Sequence, residues 1–277
     1  MGSLEEFEQY KSFSIEELKE AAASKEIFMS KLTEGETDLR ILPPPMALNQ
    51  WFADQGLKPT PFVELWKHFF QTPSGEYMSF PCPHKTAGLP CAASELSDRL
   101  RSSQNEEVSK AGWSMRSQRK ILITVINRDR PEDGPRLWEV SAPAGKALGK
   151  TMFEKIMGVM QGRRPKNIVT PGEEGYDIAV TRTGTGRDTS YTVEAGEQRP
   201  LSDTPEEAVA LINSQPDVRD CFKIPGEDIV AEKIKEMQTF TNGGQTFTNG
   251  GQTFPPALER KHDRNFPASQ DDEDIPF

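Results

Sequence analysis

His68, Cys82, His84 and Cys91 are the residues of this chain best suited to inner-sphere chemistry. They gather two of its three histidines and two of its three cysteines into one stretch, spaced His68-x13-Cys82-x-His84-x6-Cys91. Imidazole nitrogen and thiolate sulfur are the ligands of structural zinc, and four of them suffice for a tetrahedral site. They can meet only if the chain folds back between Phe70 and Pro81, and Thr72-Pro73-Ser74-Gly75 has the residues of such a turn. A small, odd cysteine count with two of the three beside histidines fits metal ligation in a reducing compartment better than disulfides. Cys221, isolated beside Phe222, reads as a buried thiol. The alternative is that these residues are ordinary core and loop without a metal.

The enzyme classes nearest to this pattern lack their residues. A zinc nucleobase deaminase combines His-x-Glu with Pro-Cys-x-x-Cys. Here Phe69-Phe70 follow His68, and Pro81-Cys82 leads to His84 with no Cys-x-x-Cys. Gly184-Thr185-Gly186 lacks the further glycines and the Lys-Ser/Thr of a phosphate loop and sits between two strand signals. Neither paired carboxylates nor a Ser-His-Asp set stands out, so the chain reads as a binding protein rather than an enzyme.

The elements that must position the ligands are mainly strands. Residues 62–70 alternate, with Val63, Leu65 and Phe69 on one face and Phe62, Trp66, His68 and Phe70 on the other. If the aliphatic face is core, Trp66 projects beside the ligands and is free to stack; if both faces are buried, it is plain core. Strand signals also occur at Phe28-Met29 and 39–42, joined by a hairpin-like 31–37, and at 137–140, 176–181 and 190–193. The β-branched run at 120–127, KILITVIN, predicts a central strand. Helices are predicted after the capping box Ser14-Ile15-Glu16-Glu17, over the polar stretch 94–110 and within 145–160. Two more follow, one after Thr204-Pro205-Glu206-Glu207 and one over about 227–237. No run approaches the roughly twenty apolar residues that span a bilayer, so a soluble cytoplasmic protein is expected.

A net charge of −10 looks wrong for a nucleic-acid partner, but the acid lies in the ends of the chain. Between them, within 111–130, Arg116, Arg119, Lys120, Arg128 and Arg130 oppose Asp129 alone, and Arg163-Arg164-Pro165-Lys166 contains no acid. Such local basic patches are what a phosphate backbone requires, whatever the total charge. Residues 238–244, QTFTNGG, recur at 245–251 with a partial copy at 252–254, a composition expected of a flexible spacer. Beyond it, Asp271, Asp272, Glu273 and Asp274 precede Ile275, Pro276 and Phe277. A merely solubilising tail gains nothing from ending in Ile and Phe, whereas a partner with an apolar pocket rimmed by Lys and Arg would use both halves.

This tail is similar to the terminal peptide of bacterial single-stranded DNA-binding proteins, which recruits replication and repair enzymes. The body of the chain resembles another family, the helix-destabilising single-stranded DNA-binding protein of T-even and related tailed phages. The marks are Lys31-Leu32-Thr33-Glu34-Gly35 with Leu39-Arg40-Ile41-Leu42-Pro43, His68-Phe69-Phe70 and Gly75-Glu76-Tyr77 through to Cys82 and Cys91. They continue in 121–125, in Phe153-Glu154-Lys155-Ile156 and in Asp177-Ile178-Ala179-Val180-Thr181-Arg182, collinear over about 28–195. The resemblance implies a mainly β fold with some α: an OB-fold barrel with an inserted zinc-binding subdomain, flanking helices, a disordered C-terminal tail, and DNA in the basic cleft between barrel and subdomain. The corresponding divisions are an N-terminal arm and helix at 1–27, a DNA-binding core at 28–200 with the zinc subdomain at about 66–112, a helical extension at 201–237, a repeat linker at 238–264 and the acidic tail at 265–277.

By position, His68, Cys82 and Cys91 match three zinc ligands of that family. Its fourth, a cysteine, is Ser94 here, and His84 is read as the substitute. The family's basic N-terminal arm is replaced by Glu5, Glu6 and Glu8, and the aromatic pair before its long central strand by Gln118, Arg119 and Lys120. On this reading Arg40, Arg116, Arg119, Lys120, Arg128 and Arg182 meet phosphates, and Trp66, Tyr77, Trp113, Trp138 and Tyr191 are the pool for base stacking. Partners are single-stranded DNA and, through the tail, replication, recombination and repair proteins. A zinc-containing adaptor that binds only protein is the alternative.

Overall fold

The computed structural model describes residues 27–29, 31–71, 77–142, 151–185, 188–226, 228, 230–232, 234–235, 248–249 and 252–253. The predicted helix after Ser14, the turn at 72–75 and the peptide at 271–277 lie outside them.

The β-branched run forms β4 (Gln118–Asn127), and the fold is built on it. One edge carries β5 (Arg136–Ser141); the other carries first β2 (Val63–Gln71) and then β1 (Gly35–Ile41), all antiparallel. The sheet continues from β2 to β3 (Tyr77–Pro81), and from β1 to β6 (Tyr176–Thr183) and β7 (Ser190–Gln198). A strand flanked on both edges is expected to be buried on both faces, and β4 is. Ile121, Ile123 and Val125 point into one core, while Leu122 and Ile126 serve two others behind the sheet.

Strand twist curls the sheet, so that Leu39, Ile41, Val140, Ile178 and Val180 converge with the inward face of β4 on that one core. Its open end is covered by an amphipathic helix (Met152–Gln161), whose Ile156 is fully buried and whose Thr151 and Glu154 form a complete capping box. This is the mainly antiparallel, helix-covered barrel of an OB-fold. A second helix (Pro205–Asn213), capped by Thr204, covers Leu42, Ile126 and Leu201 at one end.

The strand β2 shows how the inserted subdomain begins. Val63 and Leu65 are buried in the core behind the barrel, but from position 66 onward the buried side chains are His68 and Phe70, on the opposite face. The pairing runs without a bulge from β4 to β3, so no register slip explains the change. One strand instead serves two cores on its two faces. Phe69, expected inside with Val63 and Leu65, is 44 % exposed and stacks on Tyr77.

Other departures have local causes. The single helix expected over 94–110 is two, Ala92–Arg101 and Glu106–Met115, broken at a Ser- and Asn-rich turn where the Asn105 side chain accepts from the Val108 amide. They cross at Gly112, whose added Cβ would stand 2.6 Å from the Arg101 nitrogen and 2.8 Å from the Ser97 carbonyl. Gly112→Ala is therefore expected to destabilise the protein by about 1–3 kcal/mol in chemical denaturation. Phe28 does not form a hairpin with 39–42 but makes a parallel bridge to Leu137. Within the repeat, Thr248–Asn249 pairs antiparallel with Gln252–Thr253.

Candidate metal centre and nucleic-acid interface

Three elements converge on the metal-ligand cluster. His68 comes from β2, Cys82 stands just before the short helix Pro83–Ala87, and Cys91 is the N-cap of Ala92–Arg101. All three are buried, and their ligand atoms lie within 4.8 Å of one another. The His68 Nδ1–H donates to the Met115 carbonyl at 2.8 Å, which fixes the tautomer and turns the Nε2 lone pair toward the sulfurs. Nε2 lies 3.4 Å from Cys91 Sγ. The Cys82 and Cys91 thiols share a hydrogen bond, which holds Cys82 well below the usual thiol range and pushes Cys91 up. Buried, convergent nitrogen and sulfur donors with an oriented imidazole fit zinc.

His84 does not join them. It is exposed on its short helix, because Pro83 at the first helical position is the residue turned inward. The position nearest the three ligands is taken by Ser94, one helical turn beyond Cys91. Its Oγ is 3.3 Å from His68 Nε2 and 3.5 Å from Cys82 Sγ.

Beside this cluster a cleft of about 810 Å³ separates the subdomain from the barrel. One wall carries Pro83, Lys85, Leu89 and Cys91; the other carries Phe62, Glu64, Trp66 and Arg119 from the barrel sheet, with Trp51 and Phe222 at the floor. Glu64 organises the barrel wall: its two carboxylate oxygens accept from Trp66 Nε1 and from Arg119 Nε, each at 2.7 Å. The Lys85 ammonium lies 5.3 Å from the centre of the Trp66 ring. The cleft thus combines aromatic surface with cations, the pairing that single strands require.

The predicted contact residues are not all brought to this cleft. Trp66 and Arg119 line it. Tyr77 stacks on Phe69 at an exposed site on β2 and β3, and Trp113, 52 % exposed, is held between the guanidiniums of Arg101 and Arg116. Trp138 and Tyr191 line a separate cavity of about 600 Å³ with Lys155. Trp138 is 9 % exposed and belongs to the barrel core. Lys120 is half-buried and reaches Ser141, and Arg182 is half-buried on β6.

Arg40 and Arg128 are corrected outright. The Arg40 side chain is fully buried and donates to Asp177 at 3.1 Å and to the Thr170 and Arg199 carbonyls. Arg128 grips the same carboxylate and the Pro200 and Leu201 carbonyls. The Arg40 guanidinium is buried out of reach of a phosphate, and all three nitrogens of the Arg128 guanidinium donate within the fold. Conversely, Trp51 and Phe222, whose rings meet at 5.6 Å, are cleft residues the sequence reading missed. The available signal was the adjacent Trp51-Phe52 pair between two proline-rich stretches.

A barrel of this type with an inserted Cys/His subdomain and an aromatic, basic cleft defines a nucleic-acid-binding protein. Comparison with known families matches residues 33–241 to the family described as gp32 DNA binding protein like, and the chain belongs to it. This is the phage-type single-stranded DNA-binding family that the sequence resembles. No curated protein and no solved structure matches the chain. Among the described residues no helix is long and apolar enough to cross a membrane.

Proposed function

We propose that this protein coats and protects single-stranded DNA with little sequence preference during phage replication, recombination and repair, in the cytoplasm of the infected bacterium. The observation that carries this is the cleft: Trp66 and Arg119, oriented by one carboxylate, line it together with Lys85, Trp51 and Phe222. Bases stack on aromatic faces regardless of identity, and the cations follow the backbone. Zinc at His68, Cys82 and Cys91 has a structural role in this reading. It would tie β2 to the two helix starts, which keeps the subdomain wall in place. The tail from Asp271 to Phe277 recruits replication and repair proteins.

Titration with oligo-dT, followed by tryptophan fluorescence, tests the proposal. Quenching that saturates and is reversed by rising salt is expected, because each phosphate contact adds to the salt dependence. Absence of quenching would falsify DNA binding in this cleft and favour a protein adaptor.

A further inference from the structure

Whether Ser94 or His84 completes the metal centre decides how firmly a metal is held. In a tetrahedral zinc site, bond lengths of about 2.0–2.3 Å place neighbouring ligand atoms about 3.3–3.8 Å apart. The separations here are 3.4 Å from His68 Nε2 to Cys91 Sγ, 3.3 Å from His68 Nε2 to Ser94 Oγ and 3.5 Å from Cys82 Sγ to Ser94 Oγ. Each matches an edge of such a tetrahedron, and the ligand atoms of His68, Cys82 and Cys91 lie within 4.8 Å of one another. Ser94 is thus the side chain adjoining the candidate fourth vertex, set there by helical spacing from Cys91 and by the burial that holds His68 and Cys82 around it.

We propose that this chain's zinc site has three strong protein ligands, His68, Cys82 and Cys91, and a weak neutral oxygen at the fourth vertex, the Ser94 hydroxyl or a water beside it, so that its metal is exchangeable. The inference rests on the zinc reading above and departs from the three-thiolate pattern that the family resemblance implies. Two thiolates neutralise a divalent ion completely, whereas a third would add charge and a strong bond at the position where a chelator must enter. A neutral hydroxyl leaves that position open to exchange. The site also borders the cleft, since Cys91 forms part of its wall, so a competing ligand has a route to it.

The experiment compares the wild-type chain, Ser94→Cys and His84→Ala, each purified in full and loaded with zinc. Zinc loss to excess EDTA is followed with a chromogenic indicator, and cobalt substitution reports ligand number in the absorption spectrum. Loss of a hydrogen-bond partner of a metal ligand already alters affinity by about 10–100-fold, so a thiolate in place of the hydroxyl is expected to slow zinc loss by about tenfold or more. The thiolate-to-cobalt absorption of Ser94→Cys should rise as two sulfurs become three, and His84→Ala should match wild type in both measurements. Wild type retaining zinc as firmly as Ser94→Cys, or faster loss from His84→Ala, overturns the assignment of Ser94 while leaving a zinc site in place. If neither wild type nor Ser94→Cys takes up zinc or cobalt, the zinc reading fails with it. The oligo-dT titration remains a separate test of DNA binding.

Discussion

Asp177→Asn is expected to lower the unfolding free energy by about 3–5 kcal/mol in a urea titration, the usual cost of removing one partner from a buried ion pair. Asp177 is fully buried on β6 and accepts from Arg40 at 3.1 Å, from Arg128 at 3.1 Å and from Arg199 at 2.6 Å. A neutral amide offers one acceptor oxygen and no charge to three neighbouring guanidiniums. Arg40 cannot escape to water, since its side chain is also fully buried beneath β1. The network ties β1, β4 and β6 to the segment after β7, so the loss should be global rather than confined to one edge. A drop below about 1 kcal/mol would mean that solvent or backbone carbonyls compensate the arginines, contrary to the low dielectric of a buried site.

Trp66→Ala is expected to weaken oligo-dT binding by about 5- to 150-fold, the range corresponding to about 1–3 kcal/mol for one stacked base. The ring is half-buried at the margin of the subdomain core, with its indole nitrogen fixed by Glu64 and Lys85 over its face. Ring orientation is thereby set before any DNA arrives, which limits the ordering cost of binding. Trp138→Ala should behave differently: that side chain is part of the barrel core, so truncation should lower stability more than intrinsic affinity. Circular dichroism and urea denaturation beside each titration separate the two effects. Unchanged affinity in a folded Trp66→Ala protein would remove this tryptophan from the interface.

Much of the architecture was legible because it rests on local pattern. The run KILITVIN demanded a strand buried on both faces, and Thr204-Pro205 marked a helix start that the structure bears out. The grouping of His68, Cys82 and Cys91 was legible from their spacing and from the family resemblance. The fourth position was not. Ligand chemistry alone favoured His84, an imidazole lying between two other ligands, but Pro83 at the helix start turns inward and leaves the imidazole in solvent. Ser94 lies one turn beyond Cys91, where a helix places side chains on a common face. A serine by itself gives no ligand signal, although the resemblance puts the family's fourth cysteine at this position; the contacts of Ser94 with His68 and Cys82 emerged only from the helix.

The arginines failed for a related reason. Composition counts a basic residue as available to phosphate, yet Arg40 and Arg128 carry the same sequence signature as Arg119 while lying on the fully buried Asp177, where Arg119 pairs with the partly exposed Glu64. What the sequence by itself determined was the central strand β4, most of its neighbouring strands, the gathering of His and Cys ligands, and the likeness to a single-stranded DNA-binding family. What only the tertiary structure decided was which face of β2 is inside, which arginines are internal, and that Ser94 rather than His84 lies beside His68 and Cys82. Periodicity and ligand type are carried by neighbouring residues, whereas burial and ion pairing depend on contacts such as Arg40 with Asp177, made only after the chain has closed on itself.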